Sequence, residues 1–320
     1  MKTQGYDLIG DIHGHHDKLA RLLAQMGYEA RGHGFCHPEG RKVIFLGDYV
    51  DRSPKVREVL LTVRTMVDDG NAFAIMGNHE LGAIQGHTPD GNGSMLKPDW
   101  ATCSKGHQAT LRAFEGRAGE WADWIAWMKR LPLHLELDGL RAVHACWDGA
   151  RIAQLRALNA SLADDDFLRL CSTKGTPEYD LVETVLKGPE VPLPPDHSFH
   201  DREGKKRRKI RTRWWNIPAS ASAGEMAMPE PLPGMGELSP DLLQNLPNYG
   251  VQEKPVFVGH YWMAPEWVKA PLAANVACLD YSAAKDEHPL VGYRWEGEQV
   301  LSAARYVIGA KTASPTAQMC

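Results

Sequence analysis

Three short apolar runs near the start of the chain share one pattern. Residues 6–9, 43–46 and 73–76 are mostly apolar and have the length of buried strands. Each run is followed by a glycine, at which the backbone can turn sharply, and then by a polar residue. Open α/β sheets usually bind ligands at the carboxyl ends of their strands. The pattern therefore predicts three strands whose ends form one polar site.

The polar residues after these glycines are of metal-binding types. The three segments read GDIHG from residue 10, GDYVDR from residue 47 and GNHE from residue 77, and the candidate ligands are Asp11, His13, Asp48 and Asn78. Oxygen and imidazole ligands without a thiolate suit Mn, Fe, Zn or Mg. These ligands are more than one Mg needs and too few for two metals, so we expect further histidines after later strands.

Two later apolar runs end in a histidine. Residues 140–143 precede His144, and residues 256–259 precede His260. A single histidine in this position is more often a hydrogen-bonded core residue. Five segments with the same arrangement instead favour a dinuclear metal site.

The segments between these strands predict helices. Leu19, Leu22, Leu23 and Met26 follow helical spacing, and Ser53-Pro54 is typical of a helix start before an apolar stripe from Val56 to Val67. Residues 81–103 are rich in Gly, Pro and Asn and predict a loop. Residues 105–130 predict two helices, and we interpret the stripe of Trp121, Trp124, Ile125 and Met128 as the core of an inserted cap. Strands that alternate with helices indicate an α/β fold.

Composition agrees with a globular enzyme. The 320 residues are 43% hydrophobic and 24% charged, and the net charge of −4 predicts no general affinity for nucleic acid or membranes. The sequence has no run of eighteen apolar residues and no room for a signal peptide before the first polar segment. The six cysteines form no close pairs, which is typical of reduced thiols. We therefore expect a cytoplasmic protein.

Together, GDIHG, GDYVDR, GNHE and the segments around His144 and His260 resemble the calcineurin-like metallophosphoesterase superfamily. They are most similar to the branch that holds the phosphoprotein phosphatases, the symmetrical diadenosine tetraphosphatases and the bacterial polynucleotide phosphatases. The resemblance covers residues 5–150 and 255–300. It implies two packed mixed β-sheets flanked by helices, with an inserted helical cap and a basic loop. We expect one domain over residues 1–310, with insertions at about 81–130 and 188–255, and a tail over 311–320.

The resemblance also implies residue roles. Asp11 and His13 would hold the first of two divalent metal ions, Asp48 would bridge, and the second ion would be held by Asn78, His144 and His260. Arg52 would grip a phosphate oxygen, and His79, oriented by Asp51, would protonate the leaving group. These roles suit the residue types, because a guanidinium matches phosphate geometry and an imidazole titrates near neutral pH. Mn is the expected metal, with Fe, Zn, Co and Mg as alternatives.

The last segment departs from part of the superfamily. Many members have a second histidine two residues after the Gly-His pair, where this chain has Trp262. Asp280 follows the next apolar run. It is either a carboxylate that orients a histidine ligand or a turn residue.

A dense run of basic residues lies between the last two histidine segments, over residues 202–213. A charge run is often only a solvated surface. In the related phosphatases an arginine of this region holds a phosphate oxygen, and Arg213 and Arg211 are the candidates here. The run could also attract a polyphosphate or a nucleic-acid backbone.

We predict hydrolysis of a phosphate ester or anhydride by metal-activated hydroxide, with direct transfer to water. Phosphoproteins and dinucleoside polyphosphates are the leading substrates, and phosphorylated nucleic-acid ends are the alternative. A remote alternative is a non-catalytic module that binds RNA or protein and has a structural metal site. The sequence leaves the oligomeric state open.

Overall fold

Two mixed β-sheets form the centre of the protein in a computed structural model, which describes residues 5–200, 204, 206–268 and 270–310. In the first sheet the strand order is β16-β15-β1-β4-β5. Its strands are β1 (Tyr6–Ile9), β4 (Lys42–Phe45), β5 (Ala72–Ala74), β15 (Val291–Trp295) and β16 (Tyr306–Ile308). Strands β1, β4 and β5 are parallel, and β15 pairs antiparallel with β1 and β16. The three apolar runs near the start of the chain are therefore neighbours in this sheet.

The second sheet brings the two later histidine segments together. Its order is β14-β13-β7-β6, with β6 (His134–Glu136), β7 (Arg141–Val143), β13 (Val256–Val258) and β14 (Val276–Cys278). Strand β13 is parallel to β7 and β14, whereas β6 and β7 form an antiparallel hairpin. The strands that precede His144 and His260 are thus adjacent, and both histidines lie at the same sheet edge.

Apolar contacts join the two sheets. The ring centroids of Phe257 on β13 and Tyr293 on β15 are 5.0 Å apart, and both side chains are fully buried. Buried residues of both sheets belong to one continuous hydrophobic core. The predicted pair of packed mixed sheets is therefore confirmed.

Helices cover the outside of this core. They are α1 (His16–Gln25), α2 (Val56–Asp68), α3 (Asn78–Gly86), α4 (Pro98–Cys103), α5 (Gln108–Ala113), α6 (Ala118–Met128), α7 (Gly149–Ala157), α8 (Asp165–Ser172), α9 (Pro177–Lys187), α10 (Ala223–Met226) and α11 (Pro240–Gln244). Two 3₁₀ turns span Pro265–Trp267 and Ala303–Arg305, and a small hairpin joins β2 (Glu29–Arg31) to β3 (Gly34–Cys36). In the part of the chain just described, no helix is long and apolar enough to cross a membrane. The cytoplasmic location stays a prediction.

Two local expectations were wrong. Helix α2 begins at Val56 rather than at Ser53-Pro54, because the backbone of Arg52 is held in a positive-φ turn that donates to Gly106 O at 2.8 Å. The predicted loop over 81–103 is partly helical, since α3 extends to Gly86 and α4 begins at Pro98. The tryptophan stripe of α6 is buried as expected for a core.

The expected basic loop contains a small sheet of its own. Strands β8 (Glu190–Pro192), β11 (Lys209–Thr212) and β12 (Ala227–Met228) pair in the order β12-β11-β8, beside a short hairpin of β9 (Phe199–His200) and β10 (Lys206–Arg207). Side chains such as Val191, Ile210 and Met226 form a second hydrophobic cluster beneath it. Part of the predicted basic segment, residues 202, 203 and 205, and the tail over 311–320 lie outside the described residues. The single domain over residues 1–310 stays a prediction.

Candidate metal centre

Asp48 lies at the centre of the site, between two groups of possible ligands. Its side chain is 2% exposed, just after β4, and its two carboxylate oxygens face different partners. Oδ2 lies 3.4 Å from Nε2 of His13, and Oδ1 lies 3.4 Å from Nε2 of His144. Although burial opposes its ionisation, His144 and His79 hold the pKa of Asp48 well below its usual range. A carboxylate in this position can satisfy two cations at once.

The imidazole of His13 presents a free lone pair to the site. Its Nδ1 donates a hydrogen bond to Val50 O at 2.9 Å, so Nε2 is the unprotonated nitrogen of the neutral ring. This Nε2 is buried and has no hydrogen-bond partner among the described residues. Burial, helped by His79, lowers the pKa of His13 to about 3 and keeps the ring neutral. A neutral imidazole fixed through its other nitrogen is a typical metal ligand.

A second group of candidate ligand atoms lies beside Oδ1 of Asp48. Nδ1 of His144 donates to Leu46 O at 2.7 Å, which leaves its Nε2 facing Asn78 Oδ1 at 3.1 Å. Nδ1 of His260 lies 2.7 Å from the same amide oxygen. Burial by itself lowers the pKa of His144, but Asp48 raises it above the ordinary value, so a positive charge is favoured between these atoms. The donor set therefore fits a divalent cation.

Asp11 and Asp280 add two more buried carboxyl groups. The backbone N–H of His260 donates to Asp11 Oδ2 at 3.1 Å. Burial and the nearby carboxylates of Asp280 and Asp48 raise the pKa of Asp11 well above its usual range. This mutual repulsion is what a bound cation would relieve. The carboxylate of Asp280 accepts the N–H groups of Trp262 at 2.7 Å and Ser282 at 2.9 Å, and its charge helps to raise the pKa of Asp11. It supports the turn, and none of its described hydrogen bonds goes to a histidine.

The backbone of the site is held in strained conformations. Among the described residues, ten non-glycine residues have positive φ, and six of them are His13, Asp48, Asp51, Arg52, His260 and Trp262. Each such residue costs roughly 1–3 kcal/mol. The strain is concentrated in these segments. It indicates that the local backbone conformation serves to place the side chains of the site, at a cost in stability.

The buried carboxylate of Glu80 holds these turns in place. It is fully buried and accepts the N–H groups of Asp48 and Tyr49 at 2.8 Å, Gly77 at 3.0 Å and Val50 at 3.1 Å. Burial, together with the charge of Asp48, raises its pKa to about 7. Glu80 therefore links the second and third polar segments.

His79 and Asp51 form a close pair beside Asp48. Nδ1 of His79 donates to Asp51 Oδ2 at 2.6 Å, and Nε2 of His79 lies 3.9 Å from Asp48 Oδ2. Arg52 follows Asp51, with its NH2 group 3.5 Å from the same Nε2. The structure thus brings an imidazole N–H, a guanidinium and the Asp48 carboxylate to one place.

The sequence interpretation missed two residues of this network. His107 and Thr110, from the inserted segment at α5, both donate to Asp51 Oδ1 at 2.7 Å. The only local signal was the dipeptide Gly106-His107, which repeats the Gly-His pair of residues 259–260 but follows no apolar run. Neither residue could be assigned to the site without knowledge of how the insertion packs.

The two candidate arginines of the basic segment lie in different surroundings. After burial, the charge of Arg211 is the main cause that lowers the pKa of His260 well below its ordinary value. Arg213 instead adds to the hydrogen bonds from Ser222 in lowering the pKa of Glu225. Of these two arginines, Arg211 is therefore the one whose charge acts on a candidate metal ligand.

The fold and the buried ligand set define a metallophosphoesterase. The family profile of the calcineurin-like phosphoesterases matches residues 7–201, which is more than half of the chain. The chain belongs to the calcineurin-like phosphoesterase family.

Curated relatives match a shorter part of the chain. The chain is 42% identical over 74 residues to the asymmetrical bis(5'-nucleosyl)-tetraphosphatase PrpE of Halalkalibacterium halodurans. It is 39% identical over 74 residues to the protein of the same name from Bacillus subtilis. Each match covers 23% of this chain and 30% of the relative. The chain thus matches less than one third of the length of these relatives. These relatives are named as asymmetrical enzymes, whereas the motifs resemble the symmetrical diadenosine tetraphosphatases.

A solved structure supports the fold. A protein serine/threonine phosphatase from Saccharomyces cerevisiae superimposes with a TM-score of 0.52 at 12% identity, over 98% of this chain and 82% of that one. At this identity the likeness concerns the fold alone.

Proposed function

We propose that this protein is a metal-dependent phosphoesterase that hydrolyses a phosphate ester or anhydride at the Asp48 centre. The observation that carries the proposal is the position of Asp48, whose two oxygens each lie 3.4 Å from a different histidine. A structural metal site would not need the arginine and the second imidazole that lie beside it. Both are present, as Arg52 and His79.

We assign the ligands to two groups. Asp11 and His13 would hold one cation, Asn78, His144 and His260 would hold the other, and Asp48 would be shared between them. Two divalent ions in such a site polarise a phosphoryl oxygen and lower the pKa of a bound water. Mn is the proposed metal, with Fe, Zn, Co and Mg as alternatives, because a set of carboxylate oxygens and imidazole nitrogens accepts each of them.

Arg52, His79 and Asp51 act on the substrate. The guanidinium of Arg52 binds the phosphoryl oxygens, for which its planar fork is suited. His79 donates its Nε2 proton to the leaving oxygen, since Nε2 is the nitrogen that faces Asp48 and Arg52. Asp51 holds the ring through Nδ1 at 2.6 Å. Arg211 binds a further phosphate oxygen from the His260 side.

Dinucleoside polyphosphates are the leading substrate class, and the name of the tetraphosphatase relatives supports this choice. A phosphopeptide is the second candidate. Glu80, which follows His79, does not favour a phosphopeptide, because its carboxylate is bonded to the backbone N–H groups of Asp48 and Gly77. Phosphorylated nucleic-acid ends remain a third candidate on account of the exposed residues Lys206, Arg207, Arg208 and Lys209.

The test is a turnover panel with diadenosine tetraphosphate, a phosphopeptide and a 3′-phosphorylated oligonucleotide, each with saturating Mn. We expect turnover of at least one, and a loss of more than about a hundredfold in Asp48→Asn, because loss of a ligand exceeds the effect of disturbing its support. Asp123→Asn, on the exposed side of α6, is the matched control and should behave as the wild type.

Absence of turnover on every substrate at metal saturation would refute the enzyme assignment. Full activity of Asp48→Asn would refute its central role. The substrate with the highest kcat/KM decides among the three classes.

A further inference from the structure

Two residues of the inserted segment form hydrogen bonds with Asp51, the partner of His79. His107 is fully buried just before α5, and its Nδ1 lies 2.7 Å from Asp51 Oδ1. Thr110, one turn later and also fully buried, donates its hydroxyl to the same oxygen at 2.7 Å and accepts the Asp51 N–H at 2.9 Å. The other carboxylate oxygen, Oδ2, is bonded to Nδ1 of His79. One carboxylate oxygen of Asp51 therefore binds the inserted segment, and the other binds the imidazole of His79.

This division fixes the carboxylate plane. A carboxylate with a single partner can rotate about its Cβ–Cγ bond, because that terminal torsion is soft. Bonds to both oxygens from opposite sides remove this freedom. The backbone adds to the restraint, since the N–H of Arg52 donates to Gly106 O at 2.8 Å. The orientation of Oδ2 toward His79 thus depends on a segment outside the metal-binding motifs.

The ring of His107 is held from both sides. Its Nδ1 donates to Asp51, and its Nε2 shares a hydrogen bond of 3.1 Å with Nε2 of His87. Burial and the neighbouring His107 lower the pKa of His87 to about 4, which keeps His87 neutral. His87 therefore completes the hydrogen bonding of His107 from the far side.

We propose that His107 is a positioning residue, which sets the orientation of the His79 imidazole through Asp51 so that the leaving group can be protonated. The proposal rests on the proposed function only for its kinetic readout. Its physical content is that the hydrogen bond from His79 to Asp51 weakens when the bond from His107 is removed.

Two substitutions separate the hydrogen bond from simple packing. Asparagine at this position can place its amide N–H near the site of the imidazole Nδ1, whereas leucine has almost the same shape as asparagine and no donor. His107→Asn should therefore keep most of the function that His107→Leu loses. Both variants are compared with phenyl phosphate, which has a poor leaving group, and with p-nitrophenyl phosphate, which has a good one.

In His107→Leu we expect kcat for phenyl phosphate to fall about tenfold or more, a part of the roughly 10²–10⁴-fold contribution of a general acid. The fall with p-nitrophenyl phosphate should be much smaller, and KM should hardly change. In a His79→Asn background, His107→Leu should have less than about a twofold further effect, because residues that act through one another are not additive. An equal loss on both substrates, or an undiminished loss in the His79→Asn background, would overturn the proposal.

A second measurement does not need turnover. In the Zn-loaded protein, low-field proton NMR should show one Nδ1–H signal that disappears in His79→Asn and another that disappears in His107→Leu. The His79 signal should move upfield in His107→Leu and stay in place in His107→Asn. An unmoved His79 signal in His107→Leu refutes the positioning role even if no substrate is turned over. Inactivity of the wild type with a normal shift in the variant would refute the proposed function alone.

Discussion

The guanidinium carbon of Arg52 lies 4.1 Å from the centre of the Trp262 indole ring. Trp262 occupies the position at which many superfamily members have a second histidine. Its backbone is held by a bond from its N–H to Asp280 Oδ2 at 2.7 Å. The residue that replaces a ligand in this chain therefore packs on the arginine that we assign to the phosphate.

The stacking predicts the behaviour of Trp262 variants. A cation–π contact contributes roughly 0.5–2 kcal/mol. Trp262→Leu should raise KM by about 2- to 30-fold, since 1.4 kcal/mol is about tenfold, with a smaller change in kcat. Trp262→Phe keeps an aromatic face and should restore part of the affinity. Steady-state kinetics of the two variants checks this, and equal KM values in both would contradict a role of the ring face.

The two arginines of the basic segment should differ in their effect. A hydrogen bond to a charged group contributes about 1.5–3 kcal/mol, so Arg211→Ala should lower kcat/KM by about 10- to 150-fold. Arg213→Ala should lower it far less, because its charge lies near Glu225. Each variant is the control for the other on the best substrate of the panel. A larger loss in Arg213→Ala would reverse the assignment.

Gly259 leaves the room that Asp11 needs. A Cβ atom at residue 259 would lie 2.1 Å from Asp11 Oδ1. Gly259→Ala should therefore displace this carboxylate and weaken Mn binding about ten- to hundredfold, the range seen when ligand support is disturbed. Titration calorimetry with Mn measures the change.

Gly119→Ala is the control for that variant. A Cβ at Gly119 on α6 meets no atom within 4 Å. We expect unchanged Mn affinity and no loss in the free energy of unfolding, because alanine favours a helix more than glycine does. Unchanged affinity in both variants would show that Asp11 does not bind the metal through this geometry.

Metal binding should stabilise the fold. Cations that bind only the folded state at a hundred times their Kd add about 2.7 kcal/mol. Removal of metal with EDTA should lower the Tm, and added Mn should restore it. In Asp48→Asn most of the increment should be lost. Calorimetry with and without Mn checks this, and a wild-type Tm insensitive to Mn would contradict the site.

Asp51 should make the metal-free protein sensitive to acid. Although burial opposes ionisation, hydrogen bonds from His107 and His79 hold its pKa below the usual range. The unfolded value is about 3.9. The stabilisation is therefore complete above this value and is lost as the pH falls toward the lower folded pKa.

Asp51→Asn tests this sign. At neutral pH it should lower the free energy of unfolding by about 2 kcal/mol, as expected for hydrogen bonds to a charged group. The difference from the wild type should shrink as the pH falls below about 4. Urea unfolding in EDTA across this range measures it, and a difference that grows in acid would be inconsistent with the depressed pKa.

The strand ends that carry the proposed metal ligands were predictable because their signals are local. An apolar run followed by Gly and Asp identifies a strand end, and parallel strands bring such ends together. The predicted helix start at Ser53-Pro54 was wrong, because the backbone there is bonded to Gly106, a residue distant in the sequence. Strands within residues 188–255 were not predicted, because they pack on the second hydrophobic cluster and the segment is rich in proline.

By itself, the sequence determined the class of site, because ligand chemistry and strand ends depend on residues close together in the chain. The tertiary structure alone decided which residues support the groups that we assign to the substrate. The bond between His107 and Asp51 joins positions 56 apart in the chain, and Trp262 meets Arg52 across the two sheets. Such contacts depend on how the insertions and the sheets pack, and this packing cannot be predicted from the local pattern of apolar residues.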